Sequence, residues 1–167
     1  MPLAFVTEPD AGQLRAAYSC FPTGVVAICG EREGAPIGLV ASSFTTVSLD
    51  PPLVSFCVQH TSETWPLLAE LPLLGLSVLG AAHEAACRQL ASKKGDRFAG
   101  LGTTTTDGGA VVIDDAAAHL ECSVFDVLPG GDHKIVLLEI VALSARPTVA
   151  PLVFHASTFM SVQALGG

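Results

Sequence analysis

Basic residues are scarce in this chain. Eight Lys and Arg stand against 16 Asp and Glu in 167 residues, a formal net charge of −8. Nucleic acids and anionic membrane surfaces are bound by clustered cations, so the balance argues against both as partners. Charge of either sign is thin, at 14% of residues against about 25% in an average soluble domain. Half of the chain is hydrophobic, which argues against disorder and against a charged coiled coil. A long apolar run is missing too. The most hydrophobic stretch, 67–82, is broken by Glu70, Pro72, Gly75 and Gly80 and is shorter than the ~20 residues of a membrane span. The first ten residues carry no positive segment and no sustained apolar core, so no signal peptide is expected.

Paired cysteines are also absent. Cys20, Cys29, Cys57, Cys87 and Cys122 are odd in number, widely spaced and form no CxxC. This argues against a disulfide framework or a thiolate zinc site, and predicts buried free thiols in a reducing cytoplasm. His60, His83, His119, His133 and His155 show no ligand spacing such as HExxH, so no metal is expected. There is no GxxxxGK[ST], no GxGxxG after a strand and no GxSxG elbow. A dinucleotide bound here is not bound in the Rossmann manner.

A chain of this length fits one domain, here 1–167, which buries roughly 70% of its extended surface by itself. With so little charge, further burial by self-association is expected, as a symmetric homodimer. Residues 11–20 read as an opening helix, ended by the turn signal Phe21-Pro22-Thr23-Gly24. Short apolar runs predict strands at 24–29, 37–42, 53–59, 73–79, 110–113, 120–128, 134–143, 152–155 and 158–162. Turns fall at 31–36 and 129–132, and 92–106 reads as polar and irregular. Thr61-Ser62-Glu63-Thr64 opens a short helix that tolerates Pro66 early, and 81–90 is an Ala-rich helix. Asp50-Pro51-Pro52 forbids ordinary helix or central strand past Leu49. Many short strands with few helices predict a mainly β (α+β) fold, a small antiparallel barrel with helical caps.

Three polar clusters stand out. Ala41 to Pro52 places five hydroxyls beside a proline-locked turn, which suits a polyol, a phosphate or a heterocycle edge, though its local chemistry reads first as an ordinary polar loop. His60-Thr61-Ser62-Glu63-Thr64-Trp65 is either a helix-start anion site or a plain cap. Lys93-Lys94-Gly95-Asp96-Arg97-Phe98 holds three of the eight basic residues. It is either a solvated turn or a guanidinium clamp on phosphate.

Taken together, the clusters carry a resemblance. Thr23-Gly24-Val25, Ser42-Ser43-Phe44-Thr45, Val47-Ser48-Leu49-Asp50-Pro51-Pro52, Thr61-Ser62 with Thr64-Trp65, Asp96-Arg97-Phe98-Ala99-Gly100, Leu120-Glu121-Cys122 and Gly131-Asp132-His133 occur in that order. Over about residues 15–160 the chain closely resembles the short-chain flavin reductases, the reductase components of two-component flavin-dependent monooxygenases. The resemblance implies a six-stranded antiparallel split β-barrel with Greek-key topology, usually a homodimer with flavin near the subunit interface. It implies hydride transfer from NADH, or NADPH, to FAD or FMN, and release of the reduced flavin to a monooxygenase component.

By the same resemblance, Ser42, Ser43, Phe44 and Thr45 would face the isoalloxazine and ribityl chain. Ser48, Leu49 and Asp50 would hold the polar ring edge. His60, Thr61, Ser62, Thr64 and Trp65 would form the phosphate-side loop. Arg97 and Phe98 would sit near the phosphate or adenosine end. His133, with Phe154 and His155, would line the nicotinamide face, and imidazole titrates near neutrality as a proton relay requires. The cofactors carry such chemistry, so the lack of a catalytic triad fits. Three positions depart from the family pattern: Ser77 stands where Asn is frequent, His83 where Gln is common, and Leu138 where Gly is common. The alternative is a non-catalytic split-barrel protein that binds or stores flavin. It would hold flavin without consuming NADH.

Overall fold

The computed structural model describes residues 3–166. Residues 1, 2 and 167 of the expected domain lie outside them. The chain opens with α1 (Ala11–Ser19), whose first turn is closed by a reciprocal pair: the Gln13 amide donates to Asp10 Oδ1 at 2.8 Å, and the Asp10 amide donates to Gln13 Oε1 at 3.0 Å. Strands β1 (Thr23–Gly24), β2 (Val26–Arg32), β3 (Ala35–Ala41), β4 (Thr45–Leu49) and β5 (Pro52–Gln59) follow, then a four-residue α2 (Trp65–Leu68) and β6 (Leu74–Val78). A 3₁₀ turn (Ala81–His83) leads into α3 (Glu84–Ala91). The chain ends with β7 (Thr103–Thr105), β8 (Val111–Ile113), β9 (Ala118–Gly130), β10 (His133–Ala145), β11 (Leu152–His155) and β12 (Thr158–Ser161).

The architecture is mainly β and antiparallel. One sheet runs β3-β2-β6-β9-β10-β5-β4, and smaller sheets pair β1-β11-β12 and β7-β8. The main sheet has seven strands where six were expected, because Thr45–Leu49 pairs with β5 as an edge strand before Asp50-Pro51-Pro52 turns the chain. Pro36 sits in β3, the opposite edge, where a missing N–H costs no ladder bond. No hydrogen-bond ladder joins β3 to β4. The sheet nevertheless curls, bringing β3 near β5.

The curl wraps one core cluster and exposes a second face to another. Val26 and Ile28 point into the first with Val54, Phe56, Leu74, Leu76, Val136 and Leu138. Ala27 and Cys29 point into the second, under α3 and β8. Burial on both faces explains why the sequence of β2 is a continuous apolar run rather than an alternation.

Four local expectations are corrected. The helix over 81–90 splits, because His83 Nδ1 accepts the Gly80 N–H at 3.1 Å and ties the first turn down separately. The threonine run is a strand, with Thr103–Thr105 pairing Val111–Ile113 as β-branched residues favour. The turn expected over 129–132 narrows to Gly131-Asp132, since His133 already pairs Gly130. Two cysteines are not buried: Cys20 is exposed and Cys57 half-exposed. Ser77, a departure from the family pattern, is fully buried and accepts the Ile113 N–H at 2.8 Å, holding β8 against β6. Leu138 is also fully buried, next to a bulge at which Phe125 has no partner on β10.

Candidate functional site

A cleft of about 460 Å³ opens between β3, the end of β5, the loop after it and the C-terminal end of α3. Its walls carry Leu39, Val40, Cys57 and Val58 as apolar groups, and Gln59, Thr61, Ser62, Thr64 and Ser92 as neutral polar groups. Lys93 and Arg97 are its cations, Glu63 its carboxylate, and His133 its imidazole. Two of the chain's eight basic residues therefore share one cleft in a protein of net charge −8. The volume lies in the ordinary range for small-molecule sites.

Each polar group is held from the sequence upward. Arg97 is half-buried, and its Nη2 donates to Thr64 Oγ1 at 3.0 Å, tying the 92–102 loop to the loop after β5. Gln89 of α3 fixes the same loop by donating to the Ala99 carbonyl at 2.7 Å. Ser62 Oγ accepts the Trp65 N–H at 3.1 Å, so Ser62 closes the start of α2 in place of Thr64, whose hydroxyl is engaged by Arg97. A helix of four residues has almost no dipole of its own to offer an anion. The cleft's pull on anions comes from Lys93 and Arg97.

His133 begins β10 at the cleft wall, and its Nδ1 lies 2.6 Å from Asp132 Oδ1. The hydrogen bond from His133 holds the Asp132 carboxyl below the usual carboxylate range, with the charge of His133 adding to the effect. His60 is exposed and outside the cleft wall. Its Nε2 lies 3.0 Å from the Gly131 carbonyl, and its N–H donates to the Asp132 carbonyl at 3.1 Å.

The other sequence candidates are distributed differently. Ser43 lies just before β4, at the register position opposite Cys57. Its hydroxyl replaces the main-chain ladder there, accepting the Cys57 N–H at 2.8 Å and donating to the Cys57 carbonyl at 3.2 Å. Ser42 and Thr45 are exposed, and Phe44 packs half-buried on the first core cluster. Ser48 and Leu49 lie on the wall of a separate apolar groove of about 370 Å³, opposite Ile140, Val141, Ala142 and Leu143 of β10, with Asp50 exposed beyond. Trp65 is buried, edge-on to Phe56 at 5.5 Å between ring centroids.

Phe98 parts from Arg97 and packs in the second cluster, where a Cβ on Gly38 would come within 3.0 Å of its ring. Phe154 packs on Phe159 in the same cluster, and His155 follows it on β11. Neither lies on the cleft wall. The structure thus gathers Thr61, Ser62, Thr64, Arg97 and His133 at one cleft. Sequence reasoning missed Cys57 and Gln59 on that wall, and gave Glu63 no role within its cluster. The one signal for Cys57 was its place among alternating residues of a two-faced strand.

A flavin reductase like domain is matched over residues 18–163. The chain belongs to the flavin reductase like family. Its relatives include an NADH-dependent FAD reductase of Streptomyces globisporus, 37% identical, with 95% of this chain and 89% of that protein covered. They also include the reductase subunit HsaB of a flavin-dependent monooxygenase from Rhodococcus jostii (strain RHA1), 30% identical, with 92% and 79% covered. Among solved structures, the Streptomyces globisporus C-1027 NADH:FAD oxidoreductase SgcE6, in complex with NAD and FAD fragments, superposes with a TM-score of 0.90. It is 35% identical, and the match covers 96% of this chain and 98% of that one. For a flavin reductase like chain, the cleft fits its ligand: hydroxyls for a sugar-like chain, two cations for phosphates, and apolar walls at Leu39, Val40 and Val58 for a ring.

Proposed function

We propose that this chain is an NADH:flavin oxidoreductase that reduces FAD and supplies free reduced flavin to a monooxygenase component. The observation that carries the reading is the hydroxyl-lined cleft with Lys93 and Arg97 on its wall, the chemistry of a dinucleotide site in an otherwise acidic protein. The names of its relatives supply the two substrates, NADH and FAD. The bound pair supplies the chemistry, hydride transfer from the nicotinamide to the flavin ring.

The chain's share is binding and placement. Arg97 and Lys93 hold phosphates, with Thr61, Ser62 and Thr64 beside them. Ser42, Ser43, Phe44, Thr45, Ser48, Leu49 and Asp50 form the flavin rim along the β4–β5 ribbon. His133 meets the nicotinamide side. The walls exclude water, and reacting atoms must come within roughly 3–3.5 Å.

The curled sheet is the split barrel of the family, with β2, β3, β5, β6, β9 and β10 as its six strands and β4 as an edge addition. Residues 1–167 form one domain. Two copies pair through the apolar edge of β4 and β10, where Leu49 is 97% and Leu143 68% exposed. Five free thiols suit the reducing cytoplasm.

The deciding experiment is anaerobic stopped-flow of the purified apo-protein with NADH or NADPH, and FAD or FMN. Fast bleaching of FAD by NADH, with reduced flavin recovered in an ultrafiltrate, is expected. A tightly held flavin that neither nucleotide bleaches would leave a flavin-binding protein instead.

A further inference from the structure

We propose that Asp132 is a positioning residue for His133: it accepts the hydrogen bond of Nδ1–H, so that Nε2 is the atom His133 presents to the cleft, and His60 clamps the turn that carries both. This rests on the reductase reading for its consequence, but its geometry stands independently.

The turn makes the arrangement. Gly130 pairs His133 across the β9–β10 hairpin, leaving Gly131 and Asp132 as a two-residue connection. Gly131 has φ +70°, as the first central position of a type II′ turn demands and as a residue with a Cβ resists. The Asp132 side chain then lies against the next residue, 2.6 Å from His133 Nδ1. An ionised carboxylate only accepts hydrogen bonds, so Nδ1 carries the hydrogen. Neutral His133 therefore offers a lone pair at Nε2, and protonated His133 offers an N–H there. Nε2 has no protein partner among the described residues.

β5 secures the turn from the other side. His60 donates its N–H to the Asp132 carbonyl at 3.1 Å, and its ring Nε2 lies 3.0 Å from the Gly131 carbonyl. Two bonds from one residue fix both turn carbonyls. The exposed His60 ring is thus explained by the turn. The charged and titratable groups around His133 are Asp132 and His60 at the turn, with Glu63, Lys93, Arg97 and Cys57 on the cleft wall. Of these, Asp132 is the one in hydrogen-bond contact with the ring.

The test compares Asp132→Ala with Asp132→Asn, because Asn keeps an acceptor oxygen at the same reach and Ala does not. The Asp132 side chain is 92% exposed, so neither change removes core packing. Two measurements are made on the full chain: the His133 tautomer by ¹⁵N NMR, and steady-state NADH oxidation with FAD. Wild type and Asp132→Asn are expected to show the Nδ1–H tautomer, and Asp132→Ala the mixture of free imidazole. In Asp132→Ala, kcat falls about tenfold while KM for NADH stays within about twofold, and Asp132→Asn recovers most of the loss.

An unchanged tautomer in Asp132→Ala overturns the proposal. So does a changed tautomer with unchanged kcat, or an Asp132→Asn variant as slow as Asp132→Ala. If wild type oxidises no NADH with any flavin, the reductase reading fails, and the tautomer measurement still decides whether Asp132 orients His133. Should Asp132→Ala not fold, Asp132→Ser, whose shorter side chain falls short of Nδ1, takes its place with the same expected outcomes.

Discussion

At the residue scale, the thiols report how the molecule is divided between core and cleft. Burial pushes Cys29 and Cys122 up to about 12 and raises Cys87, the Glu121 charge adding to the shift of Cys122. These three stay neutral and inert at pH 8, whereas Cys20 is exposed and Cys57 lies on the cleft wall. N-ethylmaleimide is expected to label Cys20 and Cys57 in the native protein. Saturating FAD slows labelling of Cys57 alone, as read by peptide mass spectrometry, and equal labelling with and without flavin would remove flavin from this cleft.

The same shifts give a pH dependence. The unfolded chain forms thiolates above about 8.5, and the folded chain resists them until about 12 at Cys29 and Cys122. The raised folded values therefore stabilise the fold below the unfolded value, and that stability drains as pH climbs through this window. A Tm falling progressively above pH 9 is the expected result, and replacing Cys29 by Ala should flatten the fall. Arg97 belongs at this scale as well. Arg97→Gln removes a fixed cation from the cleft, so KM for FAD should rise about tenfold or more with kcat little changed. An unaltered KM would move the phosphates elsewhere.

At the element scale, much of the fold was legible and the exceptions have physical causes. The hairpins were readable because apolar runs are bounded by turns with Gly34 and Gly131 at positive φ. Thr103–Thr105 was not, since three hydroxyl side chains look like loop until β8 is known to lie beside them. Candidate site residues divided in the same way. Thr61, Ser62, Thr64 and Arg97 share one cleft wall, but their polarity alone read also as a plain cap and a solvated turn, and it was the family resemblance that singled them out. Trp65 and Phe98 lie one residue from cleft groups yet face the interior, a side that only the folded chain assigns.

Close approach of elements yields a sharper test. A Cβ on Gly75 of β6 would overlap the Val111 carbonyl of β8, and neither backbone can yield without breaking the Ser77–Ile113 bond. Gly75→Ala is expected to destabilise by about 2–3 kcal/mol in urea denaturation. Gly24→Ala, with nothing within 4 Å of its Cβ, serves as the neutral control. Equal stability of the two would mean that β8 does not cross β6 so closely.

At the scale of the whole molecule, the low charge that opens the sequence has a location. Its apolar surplus is not all interior: Val47 and Leu49 on β4 and Val141 and Leu143 on β10 are exposed, at 49%, 97%, 55% and 68%. β4, β5 and β10 are neighbours in one sheet, and Leu49, Val141 and Leu143 rim a single apolar groove, with Val47 exposed on the same edge strand. A contiguous exposed apolar surface marks an interaction site. Ser48 and Leu49, candidates for the flavin rim, lie on this edge and away from the cationic cleft. On the proposed reading, a second copy seated here brings its own groups to that rim, and association and flavin binding are then linked. Wild type is then expected to sediment at twice the chain mass. Leu143→Lys, which plants a charge in the apolar edge without touching the cleft, should shift it to the monomer and weaken FAD binding about tenfold or more. A wild-type protein that sediments as a monomer, or a monomeric Leu143→Lys chain that binds FAD as tightly as wild type, would confine the whole flavin site to one subunit.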